Sequence, residues 1–171
     1  MRDLETEPIM RVQWVDVDDL HANGWNPNHV MKPELVLLER SILEQGWIQP
    51  LIVTPTMMII DGFHRATLSK VSVRLREEYG GKVPAVVMDL DTPDAMMLTV
   101  RINRAKGRHA AIDMSTLVRA LIDTHGCDSQ EVATGIGATM DEIYLLYQDD
   151  LFKALKLDAW DYSHAWVPEE R

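Results

Sequence analysis

Apolar and polar residues alternate around Val12, Trp14, Val15 and Val17, a weak strand pattern over residues 12–20. NGWNPN at 23–28 interrupts it with Asn, Gly and Pro and reads as a loop. Leu35, Leu38 and Ile42 then recur on one face, which predicts a helix from Pro33, a favourable first-turn residue, to Gly46, a favourable stop. LIVTP and MMII predict two short buried strands around a Thr-Pro-Thr turn. From Arg65 to about Glu78 the pattern is helical, with Ala66, Val71 and Leu75 inward and Lys70, Arg74 and Arg76 outward; Gly80-Gly81 ends it. VPAVVMDL at 83–90 predicts another strand. DTPDAMMLTVRINRAKG opens a helix, with Thr92 as N-cap, Pro93 at the first position, Asp94 in the first turn and Gly107 as the stop.

The remainder reads as helical. Leu117, Val118, Leu121 and Ile122 share a face within 113–125, closed by Gly126. Asp128 with Glu131, and Thr139 with Glu142, show capping-box spacing. The two short helices that these caps would open make a helix-turn-helix candidate, and Leu151 to Leu157 adds a last short helix. The fold class expected is α+β: a mixed α/β domain at 1–109, then an all-helical, helix-turn-helix-like domain at 110–171 with an acidic tail.

Composition supports a packed core, since 46% of the 171 residues are hydrophobic and 26% charged. No apolar run approaches a membrane span, and the acidic, polar N-terminus lacks the pattern of a signal peptide or anchor. The expectation is a cytoplasmic protein with no membrane partner. The single cysteine, Cys127, excludes an internal disulfide and any multi-cysteine metal site, and reads as a small packed residue. The net charge of −10 is unevenly spread. Residues 1–61 hold four basic against ten acidic residues and 127–171 three against ten, whereas 62–109 hold nine basic against five acidic. An anionic ligand would be drawn to that one positive stretch.

The positive stretch begins inside IIDGFHRATLSK, residues 59–70. A strand that ends in Asp61-Gly62 and opens a helix presents backbone amides and the positive end of the helix dipole. Gly62 has no Cβ and admits close approach. Arg65 can offer a bidentate fork to phosphate, and His64 a further donor when it carries its proton. Asp61 would repel phosphate directly, but it can hold a magnesium ion or accept a proton from water or a hydroxyl. The plainer alternative is a turn in which Asp61 caps the helix and Arg65 is solvated. A second cluster, RINRAKGRH at 101–109, gathers Arg101, Arg104, Lys106, Arg108 and His109 at a helix C-terminus, with Asn103 as a ligand candidate for a metal-bound phosphate or a base. In GWIQPLIV, Gly46, Gln49 and Pro50 punctuate the passage from helix to strand, and Gln49 can hydrogen-bond a base or ribose. Two basic clusters in an acidic chain suggest one shared anion, such as a nucleoside triphosphate.

Taken together, SILEQGWIQPLIV, IIDGFHRATLSK and RINRAKGRH resemble the boxes of the ParB/sulfiredoxin superfamily, specifically the ParB-like N-terminal domain. The resemblance covers nearly the whole chain and is nearest to short phage and mobile-element proteins, including the prophage co-activator type called IbrB. It implies a small mixed sheet with helices, followed by a helix-turn-helix. It also implies a site for CTP or ATP with Mg2+, possible nucleotide hydrolysis, and the site residues Gly46, Gln49, Pro50, Gly62, Phe63, His64, Arg65, Asn103, Arg104, Lys106, Arg108 and His109. Asp61 is the catalytic candidate, and Asp61 with Asn103 the metal candidates. Phe63-His64 stand where ParB proteins carry Glu-Arg within Gly-Glu-Arg-Arg, and the His-Arg pair is closer to the phosphate turn of sulfiredoxin and of a related serine kinase. Phe63 occupies the sulfiredoxin cysteine position, so sulfiredoxin chemistry is not expected, and Ile102 replaces a customary glutamate.

Other functions are weighed against this one. A DNA-binding or partition role would use 128–147, yet its second helix carries Asp141 and Glu142 and no Lys or Arg. A nuclease normally needs two or more carboxylates at its metals, and the glycine turn offers only Asp61; a phosphotransferase or NTPase is the more natural enzyme there. Trp160 and Trp166 in the tail could meet a protein partner or a second copy of the chain. His21, His29 and His125 show no metal-ligand spacing, and Trp14, Trp25 and Trp47 read as core and loop packing.

Overall fold

The structure is a computed structural model that describes residues 2–25, 32–105 and 111–148. It contains the expected mixture of sheet and helix. The strands are β1 (Val12–Asp16), β2 (Leu51–Val53), β3 (Ile59–Asp61) and β4 (Lys82–Val87), in the order β1-β4-β2-β3. The helices are α1 (Lys32–Gln45), α2 (Phe63–Val71), α3 (Val73–Tyr79), α4 (Thr92–Ala105), α5 (Ala111–Arg119), α6 (Ser129–Ile136) and α7 (Met140–Tyr147). Contacts divide the described residues into two compact units that part between Leu90 and Asp91, with Trp25 grouped with the second. The sequence places the boundary after residue 109; α4 instead packs with α6, because Met96, Met97 and Val100 bury among Val132, Ala133 and Ile136.

In the first unit, β2 and β3 form a hairpin, β2 runs parallel to β4, and β1 closes the far edge antiparallel to β4. A parallel neighbour needs a crossover, and here α2 and α3 supply it between β3 and β4. As the inner strand, β4 buries Val83, Pro84, Ala85 and Val86 in succession, the run expected of a strand covered on both faces. Val53, Ile59, Ala66, Val83 and Leu51 form the core between sheet and helix, and Ile42, Leu68 and Leu75 form a second cluster with α1. The outer edge of β3 is covered by the chain at His21: Ile59 N–H donates to His21 O at 2.9 Å, and the Asn23 side chain donates to Ile59 O at 2.5 Å. The segment 57–60 does not start as a strand, because Met57 sits at φ +64 in the hairpin turn and Met58 N–H turns back to Thr54 Oγ1 at 3.1 Å.

Three expected elements take a different form. The helix expected from Arg65 to Glu78 is two helices broken at Ser72, whose hydroxyl accepts from Leu75 N–H at 3.2 Å and donates to the Glu39 carboxylate on α1. The break resets the helical phase, so Val71 is 71% exposed rather than inward. At the start of α4 the capping oxygen belongs to Asp91, which accepts from Asp94 N–H at 2.9 Å, and Thr92 is already helical. The helix expected over 113–125 loosens after Arg119 into a π-helical turn, Ala120–Thr124, which Gly126 terminates at φ +68.

In the second unit, Asp128 caps α6 by accepting from Gln130 N–H and Glu131 N–H, and Thr139 caps α7 by accepting from Glu142 N–H. The Glu142 carboxylate does not complete a capping box; it takes both arms of Arg104, at 2.7 and 3.2 Å. Gly107 and the helix expected at 151–157 lie outside the described residues.

Two substitutions test these caps. Ser72→Ala removes a cap and leaves Glu39 without its donor, and lowers unfolding free energy by about 1–3 kcal/mol in urea titrations. Asp128→Ala costs about 1 kcal/mol in the same measurement, and Asp128→Asn recovers most of it because the amide oxygen still accepts.

Candidate functional site

The turn after β3 is shaped by a backbone requirement. Gly62 takes φ +96 as the N-cap of α2, a left-handed conformation that glycine adopts without steric cost. A Cβ there would lie 2.9 Å from Leu51 Cγ on β2 and 3.2 Å from Arg65 Nη2. Glycine is therefore demanded twice, by the dihedral angle and by the close approach of β2 and the guanidinium. The N-cap Gly62 has no side chain of its own to cap α2, and the first turn holds no acidic residue. The first intrahelical bond is Ala66 N–H to Gly62 O at 2.9 Å, so the opening amides precede the helical ladder. Such a terminus concentrates positive potential where the dipole begins.

Arg65 lies within that positive end, because helical side chains lean back toward the N-terminus. Its guanidinium is largely enclosed, with the side chain 12% exposed. Nη1 donates to Gln49 O at 2.5 Å and to Pro50 O at 3.0 Å, and Nη2 donates to Asp61 Oδ2 at 3.2 Å. Burial lowers its pKa from the ordinary arginine value, and the Asp61 carboxylate opposes that shift. The solvated Arg65 of the plainer sequence reading is thus not what the fold contains: the side chain faces inward and ties three segments together. Asp61, at the end of β3, serves as its ion-pair partner. The i,i+4 spacing of Asp61 and Arg65 was visible in the sequence; the two carbonyl acceptors were not, since nothing in residue type marks a main-chain acceptor.

Those carbonyls belong to the connection between α1 and β2. Gly46 ends α1 at φ +79, and its N–H bonds Ile42 O at 2.9 Å. Trp47 turns inward against Tyr79, while Ile48 and Gln49 face solvent. Gln49, Pro50, Asp61, Gly62 and Arg65 are therefore neighbours in space. Phe63 packs against the core of the first unit and stands edge-on to His64 at 5.8 Å between ring centroids.

The remaining expected residues belong to the second unit. Asn103 is 5% exposed on α4, and Arg104 is engaged by Glu142. Lys106, Arg108 and His109 lie outside the described residues. Among the described residues no group of three or more His, Cys, Asp or Glu side chains is placed to hold a metal ion. Asp61 by itself suits magnesium only if phosphate oxygens and water complete the shell, which is the common arrangement for that ion. Also among the described residues, no helix is long and apolar enough to cross a membrane.

Comparison with known proteins agrees with this architecture. The structure superposes on the Pnob8-like ParB-N domain with a TM-score of 0.61 at 13% identity, covering 86% of this chain and 73% of that one, a likeness of fold. In sequence the chain is 37% identical to the uncharacterized protein YbdM of Escherichia coli (strain K12), over 94% of this chain and 78% of YbdM. It is 25% identical to the probable chromosome 1-partitioning protein ParB of Deinococcus radiodurans, over 91% of this chain but 54% of that protein, so the chain spans about half the length of this partitioning relative. The model of the ParB N-terminal domain matches residues 2–103, a span that contains every strand and the whole glycine turn. By that match the chain belongs to the ParB N-terminal domain family.

Proposed function

We propose that the chain is a ParB-like regulatory protein that binds a nucleoside triphosphate, CTP or ATP with Mg2+, through the turn at Asp61–Arg65. The observation that carries this reading is the start of α2, with no acidic residue in its first turn, behind a glycine that no other residue can replace without displacing Leu51. An oligophosphate there would meet main-chain amides, the His64 side chain and the guanidinium of Arg65. Asp61 would take the ion that arrives with the phosphates or orient a water for hydrolysis, and Gln49 would face the base or ribose. The partitioning relative agrees with a regulatory or partition role. A DNA-reading role for α6 and α7 is not favoured, since residues 120–148 contain no Lys or Arg to neutralise phosphates. The nuclease alternative is likewise weak, because the glycine turn at 61–65 offers no carboxylate but Asp61.

Calorimetric titration of the full chain with CTP, ATP and GTP, with and without Mg2+, should give saturable binding of at least one nucleotide that strengthens with the ion. Absence of heat from all three at millimolar concentration contradicts the proposal. Arg65→Ala should weaken that binding by about 1.5–3 kcal/mol, the worth of a charge-assisted hydrogen bond. Gly62→Ala should abolish it while leaving the second unit folded, as judged by amide exchange across α5–α7.

A further inference from the structure

In its present pose Arg65 spends three of its five N–H donors on protein acceptors, so a phosphate at the head of α2 competes with them for the guanidinium. Nη1 is committed to two carbonyls of the α1–β2 connection and Nη2 to the carboxylate at the end of β3, so the side chain joins both segments to α2. The guanidinium is nonetheless close to the amides at the head of α2, packed against Gly62. The carbonyls that it would leave are cheap to abandon, because Gln49 is exposed and Pro50 partly so, and water can take over as donor. Residues 46–50 form no helix or strand, and the Gly46 N–H bonds Ile42 O on α1. The Trp47 indole N–H is shut away from solvent without a hydrogen-bond acceptor, an unfavourable state that loosening would relieve.

We propose that Arg65 is a latch between ligand occupancy and the α1–β2 connection. Without an anion, its guanidinium pins Gln49 and Pro50 to the glycine turn. An oligophosphate at the head of α2 competes for the guanidinium with a doubly charge-assisted bond, which is stronger than bonds to neutral carbonyls. A cation arriving with the phosphates draws Asp61 away from the same group. Ligand and ion thus act in one direction: Arg65 turns from the connection to the ligand, and residues 46–50 are freed to take a second arrangement. This inference rests on the nucleotide reading above, and gives that site a means of signalling its occupancy to the surface at Ile48 and Gln49.

The test uses hydrogen exchange of the wild-type full chain, read at the amides of Trp47, Ile48 and Gln49, with inorganic tripolyphosphate and Mg2+ as the probe and calorimetry on the same samples. The latch predicts a severalfold rise in exchange at 47–49 on saturation, while the amides of β2 and β4 are unchanged. In Arg65→Gln, exchange at 47–49 should already be fast without probe and rise no further. In Asp61→Asn, which keeps the arginine and should tolerate folding better, the basal rate should lie between the two. Binding without a change at 47–49, or with slower exchange there, overturns the latch and leaves the nucleotide reading standing. No binding of tripolyphosphate or of any nucleotide overturns both.

Discussion

The architecture of the first unit turns on the packing of one guanidinium against one glycine. Arg65 reaches back over Gly62 to carbonyls 16 and 15 residues earlier and to the carboxylate at the end of β3. Through it the α1–β2 connection, the hairpin and α2 share a common point. Leu51 presses on the same glycine from β2, so the space there is filled on both sides. Enclosing a cation at the positive end of a helix is electrostatically unfavourable, and a single carboxylate, Asp61, is its charge partner. The arrangement holds because the acceptors are close and well placed, and with the pair neutral it is the positive end of the α2 dipole that would face an anion in the proposed site.

The second unit has a different electrostatic character. Met96, Met97, Val100, Leu117, Leu121 and Ile136 supply a continuous apolar core, and the caps at Asp128 and Thr139 start its two short helices cleanly. Arg104 is spent on Glu142 in a bidentate pair, which stabilises the helical packing and removes one cation from the pool available to a ligand. With no Lys or Arg from Ala120 to Gln148, the exposed Tyr144, Leu145 and Tyr147 on α7 present a surface poorly suited to a phosphate backbone.

Much of this was legible in the sequence, and the parts that were not share a cause. Periodicity and punctuation located α1, α4, the hairpin and the glycine turn, because each is decided by local preference and a buried face. Val71 was misplaced because Ser72 can cap a helix as well as sit inside one, and only the reach of Glu39 from α1 decides between them. Asp91 replaced Thr92 as the capping residue because adjacent Asp and Thr are near-equal caps and the chain's entry angle chooses. Arg65 was read as a phosphate fork, with a solvated side chain as the plainer alternative; its enclosed pose depends on main-chain carbonyls that residue identity does not reveal. The unit boundary at Leu90 was missed for the same kind of reason, since α4 looks the same in sequence whichever core receives it.

The most direct test of the central claim is a backbone amide NMR titration of the full chain with CTP or ATP and Mg2+. A nucleotide seated at the head of α2 shifts the resonances of Gly62, Phe63, His64, Arg65 and Ala66 first and most. Shifts confined to α6 and α7, or none at saturating nucleotide, would contradict it.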